Sequence, residues 1–270
     1  MTHTFPALAA ESPRGRASRR FSIYWKETKY EFLKRLRMPM YSLSLVFFPA
    51  MFYALFGLIL NRNEAIHHVS VATYLMSTMA CYGVMGVGLF GFGVGLAVER
   101  GQGWLEVKRA SPMPEAAPFV GRLGTCFLFS FAVALLLLIM GTVFGGVHMK
   151  TAQAFLFLAA VVGGSIPFCA LGLAIGYFAR PNSAASVVNL IYLPLSFLSG
   201  LWMPVDGFPP FLQKTAHALP PYHFGQLVLT VAGVHGGATG VHLEVLVGFT
   251  LICLGIARLG FQKDEGKLYG

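Results

Sequence analysis

The residues best suited to metal or acid–base chemistry in this chain are its eight histidines. Seven of them, His67, His68, His148, His217, His223, His235 and His242, fall between apolar runs or at their ends, and only His3 lies elsewhere. Imidazole titrates near neutral pH and ligates zinc, so such rings suit a metal site or an acid sensor. They also serve as ordinary interfacial residues, and no carboxylate pattern beside them supports a metal. Glu244, two residues after His242 in the last apolar run, could line a substrate path or reach interfacial water.

Other patterns that imitate chemistry fail on their context. Gly86 to Gly91 spell G-x-G-x-x-G, but inside an apolar run, with no strand before them, and dinucleotide binding needs a strand–turn–helix. The Lys150-Thr151 and Lys214-Thr215 pairs follow Met149 and Gln213, not the glycine that a phosphate-binding loop requires. Cys81, Cys126, Cys169 and Cys253 lie in apolar runs without C-x-x-C spacing, which favours core packing over a disulfide framework or a zinc site. No catalytic residue, metal or cofactor is assigned to this chain.

The elements that would carry these residues are set by composition. The chain is 56% hydrophobic and 11% charged, whereas soluble domains carry about 25% charged residues. Six apolar runs are of the length that crosses a bilayer: Met40 to Leu60, Ser70 to Val98, Leu123 to Val147, Ala154 to Phe178, Ala184 to Leu201 and Gly240 to Ala257. Their continuity argues for helices, because barrel strands would alternate over about ten residues. The fold class expected is therefore an all-α polytopic membrane protein, and the second run is long enough to tilt or project.

Lys and Arg are distributed unevenly. Seventeen fall before Pro39, between Glu99 and Arg122, at Arg180 and in the tail from Arg258, against three, Arg62, Lys150 and Lys214, on the other side. The positive-inside rule then places both termini in the cytoplasm. The net charge of +9 follows from this topology and from attraction to anionic headgroups, not from nucleic-acid binding. "SRRFSI", Ser18 to Ile23, superficially resembles a twin-arginine signal, but charged residues follow where an apolar region should stand, so no cleavable signal is expected.

Residues 1–20 read as a disordered tail. From there to residue 39, Phe21, Trp25, Thr28, Phe32 and Leu36 recur at helical spacing beside Lys26, Lys29, Lys34, Arg35 and Arg37, which describes a basic amphipathic helix at the membrane surface, with Phe21, Trp25, Phe32 and Leu36 as anchors. Residues 40–258 form the transmembrane domain and 259–270 a cytoplasmic tail. Gly91 and Gly95, Gly141 and Gly145, and Gly172 and Gly176 pair small residues four apart, which suits close helix packing within this chain or against a second copy. Within residues 202–239, prolines break the apolar pieces into two short helices expected to dip back into the outer leaflet.

Spans one to five hold no Asp, Glu, Lys, Arg or His, unlike those of many secondary transporters. The charge concentrates instead in "ERGQGWLEVKRASPMP", Glu99 to Pro114. Glu99, Arg100, Glu106, Lys108 and Arg109 offer ion-pair register with a partner, while Trp104 and Leu105 offer an apolar anchor. Glu99, Arg100, Gly103, Leu105, Glu106, Arg109 and Pro112 match, position by position, the cytoplasmic segment between the second and third spans of ABC-2 type transporter permeases. Trp104 replaces a usual Thr and Lys108 an aliphatic residue. Leu198 to Phe224 also resembles that family's run at the outer end of the fifth span, including Ser199, Gly200, Trp202, Pro204 and Phe208.

The resemblance implies a coupling helix within residues 99–118 that docks on a cytoplasmic ATP-binding subunit, contacted also by the N-terminal helix. It further implies that the outer residues Ser199, Gly200, Trp202, Pro204 and Phe208, with Glu244, shape an exit. Two ATPase subunits carrying ATP and Mg, and a second copy of this chain or a related permease, complete the assembly in the cytoplasmic membrane of a prokaryote, among its lipids. The expected cargo is a hydrophobic small molecule, drug or lipid moved outwards. A polysaccharide or lipid-linked glycan is the alternative cargo, and an integral membrane lipid-modifying enzyme the alternative of another class.

Overall fold

The computed structural model describes residues 13–60, 65–66, 69–111, 113–114, 116–234 and 239–265. Within them the regular structure is helical except for a hairpin that pairs Ala65 with Ser70 and Ile66 with Val69. Five helices are long and apolar enough to cross a membrane, spanning Leu43–Leu60, Val71–Gly101, Ala117–Val143, Thr151–Phe178 and Thr239–Asp264.

Helix α1 (Pro13–Leu36) begins eight residues before the expected Phe21, and proline suits a first helical turn because the missing N–H has no intrahelical partner there. Its apolar stripe is divided between two environments. Phe32 packs on Phe129 with ring centroids 5.3 Å apart, and Thr125 donates to the Thr28 carbonyl at 3.3 Å. Phe21, Trp25 and Leu36 stay exposed, so part of the stripe docks on protein and the rest is left for an interface.

Helix α2 (Pro39–Phe52) continues as a π-helical stretch, Tyr53–Leu60. The next segment is the centre of the molecule. It runs as α3 (Val71–Gly88), a π-helical stretch over Leu89–Val94, and α4 (Gly95–Gly101). Every residue of α3 is buried, against 17% for the apolar window of the last helix. At 1.5 Å per residue its 31 residues reach about 46 Å, more than the roughly 30 Å of a hydrocarbon core.

After α5 (Trp104–Arg109) comes α6 (Ala117–Val143). The next crossing is broken into α7 (Thr151–Gly163) and α8 (Ile166–Phe178), where one continuous run was expected. Two causes coincide at the break. Pro167 lies at the start of α8 and cannot donate backward into α7, and the Phe224 ring fills the space a side chain at Gly164 would need. Gly172 and Gly176 turn inward: a Cβ at Gly172 would lie 2.7 Å from the Gly88 carbonyl oxygen, and one at Gly176 2.9 Å from Leu96 Cβ. These small residues therefore serve packing within the chain.

Helix α9 (Ala184–Leu198) has 15 residues, about 22 Å of helix, which is shorter than the full crossing expected of Ala184 to Leu201. It runs antiparallel to the central segment: Ala184 clusters with Ala97, the Tyr192 hydroxyl donates to the Tyr82 carbonyl at 3.0 Å, and the Tyr74 hydroxyl donates to the Gly200 carbonyl at 2.9 Å. Two short helices follow, α10 (Pro210–His217) and α11 (Pro220–Val231), as the proline spacing predicts. Helix α11 buries Phe224 and Val228 completely. The last helix is α12 (Thr239–Glu265). All four cysteines are buried and unpaired.

Candidate functional site

The charged segment Glu99 to Arg109 forms a node at the end of the central helix that also carries α1. Glu99 is only 4% exposed, and three elements supply its counter-charges. Its Oε1 accepts from Lys34 Nζ at 2.6 Å, from α1, and its Oε2 accepts from Arg122 Nη2 at 2.6 Å, from α6. Lys108 Nζ, from α5, lies 3.9 Å from Oε2. Burying an ion is tolerable only with partners that replace water, which accounts for the three cations around one carboxylate.

Lys108 extends this network back to α1, donating to Glu27 Oε1 and Glu31 Oε1, each at 2.9 Å. Burial alone would lower the Lys108 pKa, but Glu31, Glu27 and Glu99 outweigh it and hold the ammonium above its usual range. Arg122 is 1% exposed; its guanidinium lies 5.8 Å from the Phe92 ring centroid, within cation–π reach. Arg35 Nη2 donates to the Gly91 carbonyl at 2.7 Å, where the π-helical stretch alters the backbone pattern of the central helix.

Arg100 faces the other side. It donates to the Tyr177 carbonyl and, at 2.7 Å, to the Ala179 carbonyl. A guanidinium here satisfies terminal carbonyls of α8 that have no intrahelical donor. Its Nε also lies 3.8 Å from Asp264 Oδ1 near the end of α12. Adjacent residues thus tie the central helix to α1 and α6 through Glu99, and to α8 and α12 through Arg100.

Gly103 makes the turn into α5. Its φ is +74°, a region that costs other L-residues roughly 1–2 kcal/mol, and its carbonyl accepts from Glu106 and Val107 N–H. The resulting rotation buries Leu105, 8% exposed, beside Leu96, Ala174, Tyr177 and Ala257. It leaves Trp104 and Val107 55% and 60% exposed, with Glu106 exposed between them. Of the two apolar anchors expected, Leu105 belongs to the bundle and Trp104 faces out, and Val107 joins Trp104 on the free face. The Arg109 side chain and Pro112 lie outside the described residues.

At the other end, Trp202 packs edge-on against Phe52, with centroids 4.6 Å apart, edge-on against Tyr82 at 5.0 Å, and stacks on Phe197 at 4.6 Å. Its Nε1 donates to Ser196 Oγ at 3.1 Å. Ser199 Oγ donates to the Leu195 carbonyl at 2.6 Å, and Gly200, with φ +75°, turns the chain. Pro204 and Phe208 are half-buried, and the Phe208 carbonyl accepts from Gln213. Trp202 thus packs between α2, α3 and α9. Glu244 is exposed on α12.

Among the histidines, His223 Nδ1 lies 2.8 Å from His242 Nδ1, and His223 Nε2 lies 3.0 Å from the His217 carbonyl oxygen. A carbonyl can only accept, so neutral His223 carries its proton on Nε2 and its Nδ1 accepts a hydrogen bond from His242 Nδ1–H. Among the described residues no group of three His, Cys, Asp or Glu side chains could hold a metal. His67, His68 and His235 lie outside those residues.

The family model for ABC-2 type transporter matches residues 24–232, which include the whole charged node. The chain belongs to the ABC-2 type transporter family. It is also 27% identical over 249 residues to a Bacillus subtilis (strain 168) protein named "Putative transport permease YvfS", covering 90% of this chain and 99% of that one. It is therefore a membrane-embedded transporter permease, a class that works with ABC ATPases.

The residues missed in the sequence are the partners of the motif. Arg122 counts in the sequence as one more basic flank residue, and Glu27 and Glu31 only as charges that break up a would-be signal segment. The one available signal was their type: carboxylates interspersed in a helix otherwise rich in Lys and Arg.

Proposed function

We propose that this chain is the membrane subunit of an ATP-driven exporter, coupled through the outward face of α5 to a separate ATPase subunit. The observation that carries this reading is the division of α5 into two faces. Leu105 and Lys108 fix it to the bundle, whereas Trp104, Glu106 and Val107 are exposed together. An exposed aromatic with an aliphatic and a charged neighbour suits a protein partner. Because the node ties α5 to α1, α4 and α6, a push on that face reaches several crossings as one body.

In this reading α9 makes the sixth crossing, supported by its antiparallel course along the central helix from Ala97 to Tyr74. The excess of Lys and Arg at the charged end puts that end in the cytoplasm. Two copies pair around a path and bind two ATPases, and ATP-driven closure shifts the pair towards outward opening. A hydrophobic cargo is favoured by an almost wholly apolar cavity of about 370 Å³ between α7, α8, α11 and α12, lined by Ala159, Ile166, Leu227 and Leu246.

The test is ATPase turnover of the co-purified complex in nanodiscs. Trp104→Ala and Glu106→Lys are expected to abolish substrate-stimulated turnover while the permease stays folded. Full stimulation in both variants would overturn the proposal.

A further inference from the structure

A cavity of about 210 Å³ opens between α1 and the central helix at the charged end. Its lining is of two kinds. Phe90 and Val98 are apolar, while Lys34, Arg35, Glu31 and Glu99 are charged. The lining offers both signs of charge, so it suits a ligand that itself bears both.

The hydrogen-bond accounting sharpens this. Glu31 is 4% exposed; its Oε1 accepts from Lys108, but its buried Oε2 has no hydrogen-bond partner. A buried carboxylate oxygen left without a donor is costly, so it calls for an N–H or O–H from outside the chain. Lys34 directs one N–H at Glu99, and an ammonium has three donors, which leaves it able to bind an anion. Its side chain is 47% exposed, open to a ligand arriving from the interface.

We propose that this cavity binds the headgroup of an ethanolamine phospholipid, with the phosphate at Lys34 and Arg35 and the primary ammonium at Glu31. The volume admits several water-sized groups, enough for a phosphate joined to a short amine. Phe90 and Val98 then meet the first methylenes of the chains. A choline headgroup has no N–H to give Glu31. A glycerol headgroup has no cation to place at Glu31. This requires only that the chain sits in a bilayer and is independent of any ATPase.

The experiment is native mass spectrometry of the delipidated full chain in detergent, without an ATPase, with equimolar ethanolamine, glycerol and choline phospholipids of identical chains. One charge-assisted hydrogen bond corresponds to a preference of about tenfold or more for ethanolamine over choline. Glu31→Gln, which removes the carboxylate that receives the ammonium, and Val98→Phe, which fills the cavity without touching a charge, are expected to bring that ratio close to one, whereas Lys34→Gln weakens both lipids alike. Equal retention of ethanolamine and choline lipids by the wild-type chain, or a preference for the glycerol lipid, would refute the assignment whatever the variants do. A preference that persists in folded Val98→Phe would place the lipid elsewhere and also refute it. A failed coupling test would leave this result untouched.

Discussion

Replacing Glu99 with Gln keeps the shape of the node and removes its central charge. In the native protein that carboxylate meets Arg122 at 2.6 Å, Lys34 at 2.6 Å and Lys108 at 3.9 Å. Lys34 is half-exposed and can turn to water, and Lys108 keeps Glu27 and Glu31. Arg122 has neither escape: it is 1% exposed, and its Nε and Nη1 already lack partners. Stranding a buried charge in this way costs about 3–5 kcal/mol. On the scale of soluble domains of similar size, each kcal/mol lowers Tm by about 2–4 °C, so thermal unfolding in nanodiscs should begin roughly 6–20 °C lower. Arg122→Met added to Glu99→Gln removes the stranded charge, and the double variant should recover most of the loss. A shift below about 2 °C for Glu99→Gln, or additive losses in the double variant, would refute the view that Glu99 holds Arg122 in place.

Two further outcomes follow from the same geometry. Gly103→Ala forces a left-handed backbone on an L-residue and should cost roughly 1–2 kcal/mol, read by thermal unfolding, with no contribution from crowding because nothing lies within 4 Å of the site; an unchanged melting temperature would contradict it. Lys108 has a folded pKa above its ordinary 10.5, so its stabilisation is fully present below that pH and is lost as pH rises through the folded value. Lys108→Met should therefore be less stable than wild type at pH 8, with the gap closing above pH 10.5, and a gap that widens at alkaline pH would refute the pairing.

The length of the central helix and the two short helices near residue 210 were legible because long apolar runs and proline spacing are local signals. The break between α7 and α8 was written at Gly163-Gly164-Ser165 and Pro167, yet hydropathy does not register it, since those residues are as compatible with lipid as their neighbours. Glu99 was recognisable as part of a motif, but its partner Arg122 is 23 residues away, and ion pairing across helices has no periodicity to detect. The two faces of α5 depend on Gly103 rotating a six-residue helix, too short for its pattern to reveal which side packs. In the same way, the cavity by α1 arises from the meeting of two helices whose sequences are 56 positions apart at Arg35 and Gly91.

The central claim is that the exposed face of α5 meets an ATPase. It is tested most directly by placing a photo-crosslinking amino acid at Val107 in native membranes and identifying adducts by mass spectrometry, with Leu251, 64% exposed on α12, as the lipid-facing control. The account predicts an adduct at Val107 with a subunit bearing nucleotide-binding motifs, and none at Leu251. Absence of that adduct at Val107, or equal yield at both positions, would contradict it.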